Sequence, residues 1–361
     1  PESCHRAHRA PPHILDTPVL AMNITTRQIL VPTVVALLTA MLFVVLLFFG
    51  TADIPAGDVW NALRGNSDEI SRAIVVDLRL PMASCALLTG MALAVAGLLL
   101  QTAFNNPLAG PSILGISTGA SLGVALVLLT LSGGTAMGLG RYAGAMTGAL
   151  AGSAVMLLLL LFFSRIVRGT AMLLITGILL GYLASSAISL LSFYATQEGV
   201  HSFVIWGLGS FAGVTLGDLA VFGPVIAIFT AGSFLMIKPL NAMLLGNDYA
   251  ESMGVNIKAT RVWLLVISGV LTAAVTAFCG PIGFLGLVIP HVARLTTGTS
   301  DHSRLLPATL IWGAFSGVLC AAISVMAGSG AALPVNAITP LLSVPVIIYV
   351  IVNRNRLNYF R

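Results

Sequence analysis

Few side chains in this chain of 361 residues could do chemistry, and their spacing makes no reactive set. HExxH, GxSxG and GxxxxGK[ST] patterns are all missing. Metal-assisted hydrolysis, acyl transfer and P-loop nucleotide binding therefore lack their residues. Cys4, Cys85, Cys279 and Cys320 show no CxxC or Cys/His zinc spacing, and the last three sit inside apolar runs. They read as small packed side chains. His291 stands beside Pro290 and Arg294 at the end of an apolar run, a capping or interface position. The apolar runs carry no Asp or Glu at their middle, so a proton or sodium relay has no carriers. Energy for any transport must enter from elsewhere, such as an attached soluble motor.

The elements that hold these residues follow from composition. Hydrophobic residues make up 57% of the chain and charged ones 8%, with mean hydropathy +1.00. A soluble domain carries about 25% charge, so a water-solvated globule is excluded. Continuous apolar runs, far longer than the roughly ten-residue alternating strands of a β-barrel, point to a polytopic α-helical membrane protein. Eight runs are long enough to span: Leu30 to Gly50, Leu80 to Gln101, Ser112 to Leu131, Tyr142 to Phe163, Thr170 to Tyr194, Leu219 to Ile237, Val262 to Phe278 and Leu305 to Ala327. Two more are short or broken: Ile282 to Ala293, after Gly280-Pro281, and Ala337 to Val352, which contains Pro340 and Pro345. Proline removes a backbone donor, so both are expected to be kinked or discontinuous. The expected total is ten.

Charge supports that number. With the N-terminus inside and ten spans alternating, the inner segments hold 13 basic and 5 acidic residues, and the outer ones 4 and 7. The net charges are +8 and −3, as the positive-inside rule requires. The pI near 9.3 then reports orientation, with no need of a nucleic-acid partner. Residues 1–28 form a polar tail with no signal-peptide core, and Met22 is a candidate start. The tail is assigned no function and is expected to be disordered or non-native. Residues 29–353 read as one transmembrane domain and 354–361 as a basic inner tail.

Two polar segments lie between spans. Thr51 to Arg79 is outside, and Ile54-Pro55 through Leu63 predicts a short surface helix. Lys238 to Arg261 is inside, and its helical alternation predicts one or two amphipathic helices in the interface or against a partner. Small residues recur four apart at Gly90/Ala94, Gly115/Gly119/Gly123, Gly144/Gly148/Gly152 and Gly177/Gly181. This spacing reads as close helix packing within the bundle rather than as a dimer face. Gln101 to Ser121 and Cys279 to Leu295 are both interrupted by Gly and Pro, with a shared loose pattern of Pro111 with Leu114-Gly115 and Pro281 with Leu285-Gly286. They are either matching halves of an internal repeat around a central path or two unrelated kinks.

At these residues the chain resembles the ABC-transporter permeases that import iron-siderophores, haem and cobalamin. The resemblance runs from about Leu30 to Val352. It is carried by Arg79-Leu80-Pro81, by Gly90 to Gln101 with Asn106-Pro107-Leu108-Ala109, Pro111, Leu114-Gly115 and Gly119-Ala120, and by Trp206-Gly207 with Gly209-Ser210. Leu245-Gly246, Ala250 and Gly254 continue it, followed by Gly283-Phe284, Gly286-Leu287, Pro290-His291 and Arg294, then Asp301-His302, Arg304 and Pro307.

The resemblance implies an all-α, type II ABC importer permease-like fold of about ten transmembrane helices. It implies a homodimer in the bacterial inner membrane, with both termini cytoplasmic and the path at the dimer interface. Two cytoplasmic ATPase subunits would carry ATP and magnesium, so this chain is not itself an enzyme and binds no cofactor. A periplasmic binding protein would deliver a metal chelate, ferric siderophore or haem, with cobalamin the alternative. Leu245, Gly246, Ala250 and Gly254 would couple to the ATPase, and Arg79 would face outward to pair with the binding protein. Gln101, Asn106, Pro107, Pro111, Gly115 and Gly119 would form the interrupted helix along the path. Pro290, His291 and Arg294 would form a structural motif on the inner side.

Departures from the family pattern are Met82 after the RLP motif, Ala321 and Val325 where an outward Asp and Arg are usual, Ala332 for an acid, and Asn336 for glycine. They imply a less basic dock. Two other classes remain: a secondary transporter or channel working alone, and an intramembrane enzyme. Neither has its charged residues at membrane depth.

Overall fold

The computed structural model describes residues 24–50, 52–130, 139–167, 169–327 and 332–352. Of the expected tail 1–28, residues 24–28 are helical rather than disordered, while the part up to residue 23, Arg168 and the basic segment 354–361 lie outside the described residues. All the regular structure among the described residues is helical.

The apolar runs become helices because lipid offers no partner for free backbone groups. They are α1 (Ile24–Phe48), α4 (Leu80–Ala103), α5 (Ile116–Thr130), α6 (Leu139–Ile166), α7 (Thr170–Tyr194), α9 (Leu216–Leu235), α12 (Ile257–Cys279), α13 (Leu285–Thr297), α14 (His302–Met326) and α15 (Val335–Val352). Each of the ten expected runs coincides with one of them. Seven are long and apolar enough to cross a membrane, whereas α5, α13 and α15 are shorter.

Between them lie α2 (Ala56–Leu63), α3 (Glu69–Arg72), α8 (Gln197–Gly207), α10 (Ile237–Leu244) and α11 (Asn247–Ser252). The predicted surface helix is α2, and the predicted amphipathic pair is α10 and α11. The stretch read as a polar connection before Arg79 is instead helical from Glu69. It runs through a π-helical turn at Ala73–Arg79 straight into α4.

The trunk of the bundle is α4. In its most apolar stretch 78% of residues are buried, against 17% for α7 at the rim. Small residues set the spacing. Gly90 of α4 meets Gly313 and Gly317 of α14, and Gly97 meets Gly286 of α13. On the other side Gly119 and Gly123 of α5 meet Gly148 and Gly152 of α6, while Gly115 meets Gly177 and Gly181 of α7. The glycine stripes are thus packing faces inside this chain, and the backbones touch without side chains between them.

Most helices begin a few residues before the apolar run, but two begin later than expected. α5 begins at Ile116 rather than Ser112, because Pro111 and Gly115 (φ +77°) keep the preceding chain out of the helix. α13 begins at Leu285 rather than Ile282, after Gly280 (φ +79°) and Phe284 (φ +67°). The two interrupted segments meet: Pro111 packs on Gly286, which also contacts the Leu93 carbonyl of α4. The non-helical chain after α4 therefore climbs back alongside it before α5 starts, and α5 and α13 are both partial helices.

Candidate functional site

A cleft of about 540 Å³ opens between α5, α7, α8, the α12–α13 corner and the start of α15. Ser112, Ser117, Thr118 and Ser121 line one side. Ser185, Ile188 and Ser189 of α7 face them with Phe203 of α8, and Pro281, Ile282, Gly283 and Asn336 close one end. Hydroxyls four apart on α5 (117 and 121) and on α7 (185 and 189) share a helix face. Several are already tied within the wall: Ser121 and Ser189 donate to the carbonyls four residues back, at 3.0 Å each, and Thr276 reaches Ser117 at 3.4 Å. No lining residue is charged. Such a wall offers weak, interchangeable polar contacts and holds nothing tightly, which suits passage better than capture.

The end of the cleft is built by three helix termini. Val335 and Asn336 donate their N–H groups to Gly209 (3.2 Å) and Leu208 (3.1 Å), and Ser210 donates to Cys279 at 2.9 Å. The Asn336 carboxamide donates to Gly207 at 3.0 Å and to Pro281, and accepts from the Gly283 N–H at 3.2 Å. The departure from glycine at 336 thus has a structural role.

Gln101, expected on the path, is fully buried at the base of α4 instead. Its Oε1 accepts from Arg294 at 2.7 Å, and its Nε2 donates to the Leu287 carbonyl at 3.0 Å. His291 Nε2 donates to the Pro107 carbonyl at 2.8 Å. The 107–111 return and the 290–294 motif are therefore two halves of one buried polar joint. Buried amide and guanidinium groups satisfy one another there, as low-dielectric burial demands. Asn106 turns the chain, its Oδ1 accepting from the Leu108 N–H at 2.9 Å. Pro111, Gly115 and Gly119 pack against α13, α7 and α6 and lie behind the cleft wall, which is lined by their neighbours Ser112, Ser117 and Thr118, of which Ser112 is exposed and Ser117 buried.

A second joint lies beside the first. His302 Nδ1 donates to the Asn241 Oδ1 at 2.9 Å, and His302 Nε2 meets Thr102 Oγ1 at 2.9 Å. Asn241 donates in turn to Asp301 at 2.6 Å. This ties α10, and with it the α10–α11 segment, to the ends of α4 and α14. Asp301 lies just outside α14. The Ser303 hydroxyl holds its carboxyl below the usual carboxylate range, with help from the Ser303 N–H and Asn241.

The α10–α11 segment presents its expected residues outward. Gly246 (φ +108°) and Gly254 (φ +85°) bracket α11 in a backbone region closed to other residues, and a Cβ on either would meet nothing within 4 Å. Leu245, Tyr249 and Met253 are all more than half exposed, while Ala250 is buried underneath. The result is a small apolar knuckle held at fixed tilt by two glycine turns and the Asn241 joint.

Arg79 does not face outward. It is 5% exposed, and its guanidinium donates to the carbonyls of Leu47 and Phe48 at 2.9 Å each and to that of Ala52. The first two are open carbonyls at the end of α1, and the third lies in the chain just beyond it. Gly50 is small because a Cβ there would meet Arg79 Nε at 2.8 Å. The outward presentation implied by the resemblance is thus replaced by a buried cap. Among the described residues no three His, Cys, Asp or Glu side chains converge to hold a metal ion.

Reading the sequence missed the hydroxyl wall. Its signal, paired serines four apart within apolar runs at 117/121 and 185/189, was present. It was eclipsed by the glycines beside it.

Known proteins share this architecture. The FecCD transport family matches residues 37–353. The chain is 34% identical over 317 residues to the vitamin B12 import system permease protein of Klebsiella pneumoniae, covering 87% of this chain and 92% of that one. It is 31% identical over 320 residues to the hemin transport system permease protein of Yersinia pestis, with 87% and 94% covered. A solved inward-facing chain of a metal-chelate type ABC transporter superposes with TM-score 0.78 at 28% identity, covering 90% of this chain and 99% of the other.

Proposed function

Because this chain belongs to the FecCD transport family, as a multi-pass permease subunit of an ABC importer, we propose that its cargo is a metal chelate, ferric siderophore or haem. The observation that carries this reading is the uncharged, hydroxyl-lined cleft between α5 and α7. A chelate keeps its metal in its own ligand shell, so the conduit needs bulk clearance and weak polar contacts. Relatives named for vitamin B12 and for hemin are similar to the chain at 34% and 31% identity. That near-equality keeps a corrinoid as the second reading.

In this reading two copies of the chain enclose the path in a bacterial inner membrane, with both termini cytoplasmic. The knuckle of Leu245, Tyr249 and Met253 seats in each of two ATPase subunits, where ATP and magnesium are bound. Its two glycine turns and the Asn241–His302 joint carry the motor's displacement to α4 and α14. A periplasmic binding protein delivers cargo at the opposite face.

The test is uptake by proteoliposomes that contain this chain and its ATPase, supplied with the binding protein and loaded with ATP. Haemin, a ferric hydroxamate and cyanocobalamin are offered separately. ATP-dependent accumulation of an iron chelate supports the reading, and accumulation of cyanocobalamin alone selects the corrinoid. Accumulation driven by a proton or sodium gradient without any ATPase overturns it.

A further inference from the structure

Both donors of the Asn336 carboxamide are committed. Both Nδ2 protons go to backbone carbonyls, of Gly207 at the end of α8 and Pro281 beyond α12, and Oδ1 takes the Gly283 N–H. No donor is left for a molecule in the cleft, although Asn336 stands in its wall. A contact role toward cargo is thereby disfavoured, and what remains is the work the three bonds do. They tie the corner between α12 and α13 to both α8 and α15.

The start of that corner is packed: Ile282 is 5% exposed, and a Cβ on Gly280 would meet the Trp206 carbonyl oxygen at 2.6 Å, whereas its far end is open. A Cβ on Gly283 would meet nothing within 4 Å, so little packs there. Phe284 is kept at φ +67°, a left-handed conformation that a bulky residue rarely adopts. Glycine at position 336 could supply none of the three side-chain bonds. The 283–284 end of the corner therefore combines an unfavourable backbone conformation, sparse packing at Gly283 and a bond to the Asn336 side chain.

We infer that Asn336 is a positioning residue that latches this end of the cleft, holding the 280–284 corner in the wall it shares with Ser117 between transport strokes. This rests on the cleft being the transport path, but its test does not require the cargo to be known.

The test uses the purified permease–ATPase complex without nucleotide, carrying Cys4→Ser, Cys85→Ala and Cys279→Ala so that Cys320 is the one native thiol left, and a small membrane-impermeant sulfonated methanethiosulfonate as probe. Ser117→Cys places the reporter thiol in the same cleft wall as the corner, where Ser117 is 9% exposed. Native Cys320, fully buried in α14, reports general loosening. Adding Asn336→Gly should raise the labelling rate at position 117 more than tenfold with Cys320 still unlabelled. Asn336→Asp keeps the size and the acceptor but loses both donations, and should raise the rate in the same direction. It serves if the glycine variant does not assemble. Unchanged labelling at 117 in the assembled variants, or labelling of Cys320 in parallel with it, overturns the latch. Failure of ATP-driven uptake in the unaltered complex would instead count against the proposed function.

Discussion

Gly97 of α4 and Gly286 of α13 lie in direct backbone contact: a Cβ on Gly97 would sit 1.6 Å from the Gly286 carbonyl oxygen. Neither side has a flexible atom that could yield. Gly97→Ala should therefore destabilise the protein by about 3 kcal/mol or more, the upper end for overpacking. Thermal unfolding in detergent checks this, with Gly232→Ala as the reference. A Cβ at Gly232 in α9 meets nothing within 4 Å, so that variant should melt at the parent temperature or slightly above.

Arg79 should behave as a cap and not as a docking charge. Arg79→Ala removes three charge-assisted bonds, two to the end of α1 and one to Ala52 beyond it, and bonds to charged groups contribute about 1.5–3 kcal/mol each. Melting temperature should fall, while the salt dependence of binding-protein association should hardly move. A variant that melts normally but associates slowly would restore the outward role.

Gln101→Leu leaves the Arg294 guanidinium without the oxygen 2.7 Å away. The expected loss is about 2 kcal/mol, from stripping an acceptor off a buried charge. Gln101→Glu keeps the acceptor and should retain more of the stability. Paired melting curves of the two variants decide.

Gly246→Trp with Gly254→Trp forces bulky residues to φ +108° and +85°, where strain costs about 1–3 kcal/mol at each position. The knuckle should tilt, and co-purification of the ATPase and ATP-driven uptake should both fall. Retention of both would remove the coupling role from this segment.

Asp301 gives a pH dependence of known sign. Its folded carboxyl titrates below the ordinary range because Ser303 and Asn241 favour the charged form. Its stabilisation is therefore present above the unfolded-state pKa and is lost as pH falls through the lower, folded one. Melting temperature should decline on the acid side of pH 4, and Asp301→Asn should flatten part of that decline.

The apolar helices were legible because hydropathy and chain length act locally. Thr170 to Tyr194 emerges as α7 with the same ends, and the alternation after Lys238 emerges as α10 and α11. What was not legible depends on partners far along the chain. Arg79 finds carbonyls about 30 residues earlier, and Gln101 finds Arg294 at a separation of 193. No window of neighbouring residues encodes either meeting. The helix Gln197–Gly207 was also missed, because its mixture of Glu198, His201 and apolar residues has neither the hydropathy of a span nor a clear stripe.

Contacts between bare backbones have no rotamers to readjust. Sliding α4 by one residue past α13 or α14 would drive Leu98 or Met91 into a main chain that Gly97 or Gly90 now admits. The seam is therefore all-or-none, and α4, α13 and α14 travel as a single block. A push delivered through the Asn241–His302 joint to the ends of α4 and α14 would therefore reach α13 undiminished, with no slip of register to absorb it.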